Sequence, residues 1–128
     1  MPRKESLYPM DWIRIAEKDL ARVTHLLKED DPEAAGFFLQ QSLEKFLKAF
    51  LLSKGWKLER IHDLESLINA TLEFDPSFEE FREACQKITA FYFFERYPFM
   101  AEETLSEDDV RIALDQVRKL VEKIRKIQ

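Results

Sequence analysis

The sequence predicts an all-α fold, an antiparallel up-and-down bundle of four to five helices, from three observations. Only 2 of the 128 residues are glycine. That is too few for the many positive-φ turns of a sandwich or barrel, and rules out a Gly-rich phosphate loop. Apolar residues recur at the 3.6-residue helical period along successive segments, and no window alternates at period two. Asp-Pro steps and a Gly punctuate those segments where helices should start and stop. The length suits one domain, residues 1–128, around one core.

The first helix is expected from about Met10 to Glu29, with Trp12, Ile15, Ala16, Val23, Leu26 and Leu27 as its inward stripe and Leu20 at the edge. Asp31 is positioned to cap the second helix, and Pro32 suits its first turn because a missing N–H is unpaired there anyway. That helix runs to Lys54 and ends at Gly55, a left-handed C-terminal cap. Phe37, Phe38, Leu43, Phe46, Leu47, Phe50 and Leu51 form a stripe wide enough to meet more than one neighbour. A shorter third helix spans about His62 to Phe74 on Leu64, Leu67, Ile68 and Leu72. Asp75-Pro76 repeats the start signal for a fourth, carrying Phe78, Phe81, Cys85, Ile88 and Tyr92. Pro98 stops it near Glu95, because the residue before a proline avoids the α region. Ser106 and Asp109 make a capping box with the shorter acid, and the last helix follows on Val110, Leu114, Val117, Val121 and Ile124.

Charge and cysteine content exclude several function classes. Residues 55–105 carry 5 basic against 11 acidic side chains and account for the net charge of -5. A broad nucleic-acid-coating surface is therefore not expected, although a local basic pocket remains compatible. The single cysteine, Cys85, precludes an internal disulfide and reads as core. No His pair stands at metal-ligand spacing and no nucleophile elbow is present, so no metal, no cofactor and no catalytic residue is assigned. The N-terminus has no signal-like apolar run and no window spans a bilayer; a cytoplasmic protein is expected.

Three places carry candidate chemistry. Residues 91–99 hold six of the chain's 16 aromatic side chains. Four consecutive aromatics, Phe91 to Phe94, point in four directions, so some must meet a loop, a ligand or a second subunit. Arg96 stands one helical turn after Tyr92, and a guanidinium among rings suits a phosphate, a carboxylate or a stacked base. In the second helix Gln41, Glu44, Lys45 and Lys48 form a polar stripe in which the two lysines are spaced to converge on one anion. The alternative is a solvated face with Glu44 paired to Lys48. The third place is His62, before Asp63-Leu64, whose alternative role is capping or packing. His25, mid-helix with no carboxylate partner, reads as structural.

The ordered set Ala34…Phe38-Leu39-Gln40-Gln41-Ser42-Leu43-Glu44-Lys45, Lys48-Ala49, Gly55, His62-Asp63-Leu64 and Tyr92…Arg96-Tyr97-Pro98 resembles the HEPN domain family, the higher-eukaryote and prokaryote nucleotide-binding domains. The resemblance covers about residues 10–125. It implies a helical bundle that pairs as a homodimer and works beside a minimal nucleotidyltransferase, often as a toxin–antitoxin pair. Some members are metal-independent ribonucleases with an Arg followed, after four to six residues, by His. Arg96 is followed by Tyr97-Pro98-Phe99-Met100-Ala101-Glu102-Glu103, with no histidine, so that nuclease motif is absent. The chain is similar instead to the Arg-Tyr-Pro subgroup, for which binding of a nucleotide or RNA is implied. By that resemblance Arg96 meets phosphate, Tyr92 or Tyr97 stacks or hydrogen-bonds, and Lys45 and Lys48 line the same cleft. The alternatives are an RNA-cleaving toxin with a divergent site using His62 or Tyr97, and a structural dimerisation adaptor.

Overall fold

The computed structural model describes residues 6–97 and 105–127. Among these residues the regular structure is entirely helical: α1 (Pro9–Lys28), α2 (Pro32–Ser53), α3 (Leu64–Phe74), a 3₁₀ helix (Pro76–Phe81), α4 (Arg82–Arg96) and α5 (Glu107–Ile127). The expected Pro98 stop and Phe99 lie outside the described residues.

Helix α2 is the hub. It packs on α1, α3, α4 and α5, and most extensively on α1, as the width of its apolar stripe predicts. Leu39, Leu43, Phe46, Leu47, Phe50 and Leu51 are all buried in the shared core. Phe37 and Phe38, expected on that stripe, are only half-buried at its N-terminal edge. Asp31 caps α2 by accepting from the Ala34 backbone N–H, and Gly55 follows in the left-handed region at φ 84°. At Gly36 a Cβ would stand 2.7 Å from Leu105 Cδ2 and 3.1 Å from Phe91 Cβ. Glycine suits this close approach of α2 to the C-terminal half of α4, where a Cβ would press on Phe91 and Leu105.

Several sequence expectations need correction. Ile15 is 47% exposed and does not belong to the inward stripe of α1. The buried positions are Trp12, Ala16, Asp19, Val23 and Leu27, so a carboxylate takes a place inside the stripe. Helix α3 begins at Leu64, not His62, because Asp63 caps it by accepting from the Ser66 N–H at 2.9 Å. His62 consequently lies in the extended approach to the helix. Asp75-Pro76 opens the 3₁₀ helix, with Asp75 accepting from Ser77, and α4 starts only at Arg82. Tyr92 does not finish the core face of α4; Phe91 does, while Tyr92 is 36% exposed. The Ser106–Asp109 capping box forms as expected, each residue's backbone N–H meeting the other's side chain. The five apolar positions expected for the last helix are all buried.

Candidate functional site

The α2 segment 40–48 places polar side chains on positions 40, 41, 44, 45 and 48, one face of the helix. A solvated strip was one expectation for this face, and the structure contradicts it. Lys48 is 0% exposed and Glu44 is also buried, because α1 and the chain entering α3 close over them. An open cleft of about 610 Å³ remains in front, lined by Trp12 of α1, Gln40, Gln41, Glu44, Lys45 and Lys48 of α2, and Thr89 and Tyr92 of α4, with His62, Asp63 and Leu64 at its third side. Small-molecule sites run to roughly 300–1,000 Å³, so the cleft has the size of one.

Each lysine in the cleft already has a carboxylate. Lys48 Nζ donates to Glu44 Oε2 at 3.4 Å, one helical turn away, as the sequence alternative anticipated. Lys45 donates to Asp19, the acid inside the α1 stripe, and Asp19 also accepts from Arg22 at 2.8 Å. The two ammonium groups therefore do not form a bare anion clamp. They sit in neutralised pairs, and a buried charge needs such a partner. His62 joins the first pair: its Nδ1 is 3.2 Å from Lys48 Nζ and 3.3 Å from Glu44 Oε2. The indole of Trp12 lies under Lys48, with Nζ 5.1 Å from a ring centroid. Gln40 Oε1 is buried and, among the described residues, has no hydrogen-bond partner.

Tyr92 forms the aromatic wall, its ring 5.8 Å from that of Phe37, and Arg96 lies over Tyr92 at 5.5 Å. Among the described residues no carboxylate pairs with Arg96, whose side chain is exposed at the rim. The structure thus gathers Gln41, Glu44, Lys45, Lys48, His62 and Tyr92 into one cleft, with Arg96 joined to it through Tyr92. Tyr97 is elsewhere: it caps the end of α4 and its ring faces Phe93 at 5.3 Å. Asp19, Gln40, Thr89 and Trp12 complete the surroundings, beyond the site residues expected from the sequence. Asp19 carried a readable signal, an acid in register with Ala16 and Val23 on the buried face of α1.

The alternatives are weaker. A groove of about 450 Å³ between α4 and α5 is lined, among the described residues, by Glu80, Glu83 and Asp109 and by one cation, Lys87, which makes it the poorer host for an anion. Cys85 is buried on the core face of α4, and burial pushes its thiol up to about 12, far from a reactive thiolate. His25 is exposed on α1. No helix among the described residues is long and apolar enough to cross a membrane.

The family model for the HEPN domain matches residues 9–127, nearly the whole chain. No curated protein and no solved structure matches it.

Proposed function

The chain belongs to the HEPN domain family, and from that premise we propose that it is a non-catalytic nucleotide-binding module whose site is the cleft between α1, α2, α4 and the entry to α3. The observation that carries the reading is the composition of this cleft. It combines an aromatic wall (Tyr92), two amides and a hydroxyl (Gln40, Gln41, Thr89), an imidazole, and a guanidinium at the rim. A base stacked on Tyr92 would meet the amides at its edge, and its phosphate would reach Arg96. The buried, unpartnered acceptor on Gln40 adds a polar atom beside the cleft that a ligand's N–H would satisfy. Because Lys45 and Lys48 are neutralised in place, affinity comes from stacking, hydrogen bonds and Arg96 rather than from excess charge.

In the same reading the module acts as a homodimer beside a minimal nucleotidyltransferase, as one half of a toxin–antitoxin-like pair. The family supports this part, and co-purification with a nucleotidyltransferase encoded next to it is its test. For the ligand, calorimetric titration of ATP, GTP and short RNA into wild type, Arg96→Ala and Tyr92→Ala is the experiment. Binding in wild type that weakens in both variants is expected. No binding, or equal binding in all three, removes the ligand reading. One observation favours a second reading, RNA cleavage without metal: Glu44 touches the ring of His62 and would orient a general base. Labelled RNA that stays intact with EDTA present disposes of it.

A further inference from the structure

We propose that Lys48 is a positioning residue: it donates to Nδ1 of His62 and so holds the imidazole in the tautomer protonated on Nε2. His62 then meets a ligand as a hydrogen-bond donor. The inference rests on the nucleotide reading of the cleft and names the ligand group that faces His62, an acceptor such as a phosphate oxygen.

Three groups meet at the cleft floor. Lys48 Nζ to His62 Nδ1 is 3.2 Å, His62 Nδ1 to Glu44 Oε2 is 3.3 Å, and Lys48 Nζ to Glu44 Oε2 is 3.4 Å. A neutral imidazole satisfies only two of these three edges. With the proton on Nδ1, the ring donates to Glu44 and turns an N–H toward the Lys48 ammonium. A cation with no exposure then loses an acceptor that nothing replaces, since its remaining neighbour is the Trp12 ring. With the proton on Nε2, Nδ1 accepts from Lys48, and the ammonium spans His62 and Glu44 together. The carboxylate keeps its cation, and the ammonium has two acceptors above the Trp12 ring.

The costs are unequal. Leaving a wholly buried ammonium short of an acceptor is worse than withdrawing one donor from a carboxylate that remains paired. The other charged neighbour, Asp63, is engaged at the Ser66 N–H and does not compete for the ring. Lys45 is committed to Asp19. Nδ1 is therefore occupied from behind. The His62 side chain is 63% exposed and lines the cleft, which leaves Nε2 for a ligand. A ring held this way donates from Nε2, whereas the base of the second reading needs the opposite tautomer, with Nδ1–H on Glu44, so the two readings exclude each other.

The test is ¹⁵N NMR of the full chain at about pH 8, above the ordinary histidine range, with the His62 signals identified by their loss in His62→Gln. Wild type is expected to show a protonated Nε2 and a bare Nδ1. Lys48→Met should transfer the proton to Nδ1, where Glu44 accepts it, whereas Glu44→Gln should leave the tautomer unchanged. In parallel, ADP affinity should fall about tenfold or more in His62→Gln and by a similar factor in Lys48→Met, with the double variant no worse than either. A wild-type proton on Nδ1, or an unmoved one in Lys48→Met, overturns the proposal. So does measurable ADP binding of equal affinity in wild type and His62→Gln. If Lys48→Met fails to fold, the wild-type tautomer and His62→Gln decide alone. The proposed tautomer together with no ADP binding at all removes the nucleotide reading and leaves the role of Lys48 on the ring standing.

Discussion

The two faces of α2 are built on opposite principles. One carries Leu39, Leu43, Phe46 and Phe50 into the common core, where Phe50 meets Phe78 with ring centroids 4.8 Å apart. The other carries Gln40, Gln41, Glu44, Lys45 and Lys48 to a cleft whose floor is charged and buried. The apolar face gains by removing carbon from water, and any side chain of similar volume would do nearly as well. The polar face gains little net stability from its ion pairs, since the cost of desolvating two charges roughly offsets their attraction. Burying a lysine there is understandable if the group has work to do in the cleft.

Substitutions on the two faces should therefore fail differently. Phe50→Ala opens a cavity and is expected to cost about 3–5 kcal/mol in chemical denaturation, with nucleotide affinity of the folded fraction unchanged. Glu44→Ala should cost about 3 kcal/mol because it strands Lys48 without a carboxylate. Adding Lys48→Met to it should restore most of that loss while ligand affinity stays low. If the double variant remained as unstable as Glu44→Ala, the polar face would be structural after all. Gly36→Ala lies between the faces. The new methyl presses on Phe91 and Leu105, with an expected loss of about 1–3 kcal/mol and a displaced Tyr92 wall.

A smaller effect belongs to the edge of the cleft. Asp63→Ala removes the α3 cap, at about 1 kcal/mol, and should loosen the His62 segment that the cap anchors. Hydrogen bonds from the Ser66 side chain and N–H hold the Asp63 carboxyl below its ordinary value of 3.8. A lowered folded value means that this contribution is complete above pH 3.8 and disappears as pH falls through the folded value. Acid titration of wild type against Asp63→Ala should show the two stability curves converging only in that acidic window.

The same contrast explains what the sequence revealed. The apolar face of α2 and the five inward positions of α5 follow a 3.6-residue period in large aliphatic and aromatic residues, so both were legible. Capping was legible where one residue decides it, as at Asp31, Gly55 and Ser106. The depth of the polar face was not. Residues 40–48 on their own pattern as a solvated stripe, and α1, α4 and the distant His62 segment enclose it. Likewise, helical spacing does not distinguish Phe91 from Tyr92 at the end of α4. The close approach at Gly36 selects Phe91 for the core and leaves Tyr92 for the cleft.

The central claim is that the polar face of α2, and not the acidic groove between α4 and α5, is where a nucleotide binds. Backbone amide mapping by ¹H–¹⁵N NMR during an ATP titration tests it most directly. Shifts concentrated at Gln41, Lys45, His62, Thr89 and Tyr92 are the predicted result. Shifts concentrated at Glu83, Lys87 and Ile112, or none at saturating ATP, would contradict it.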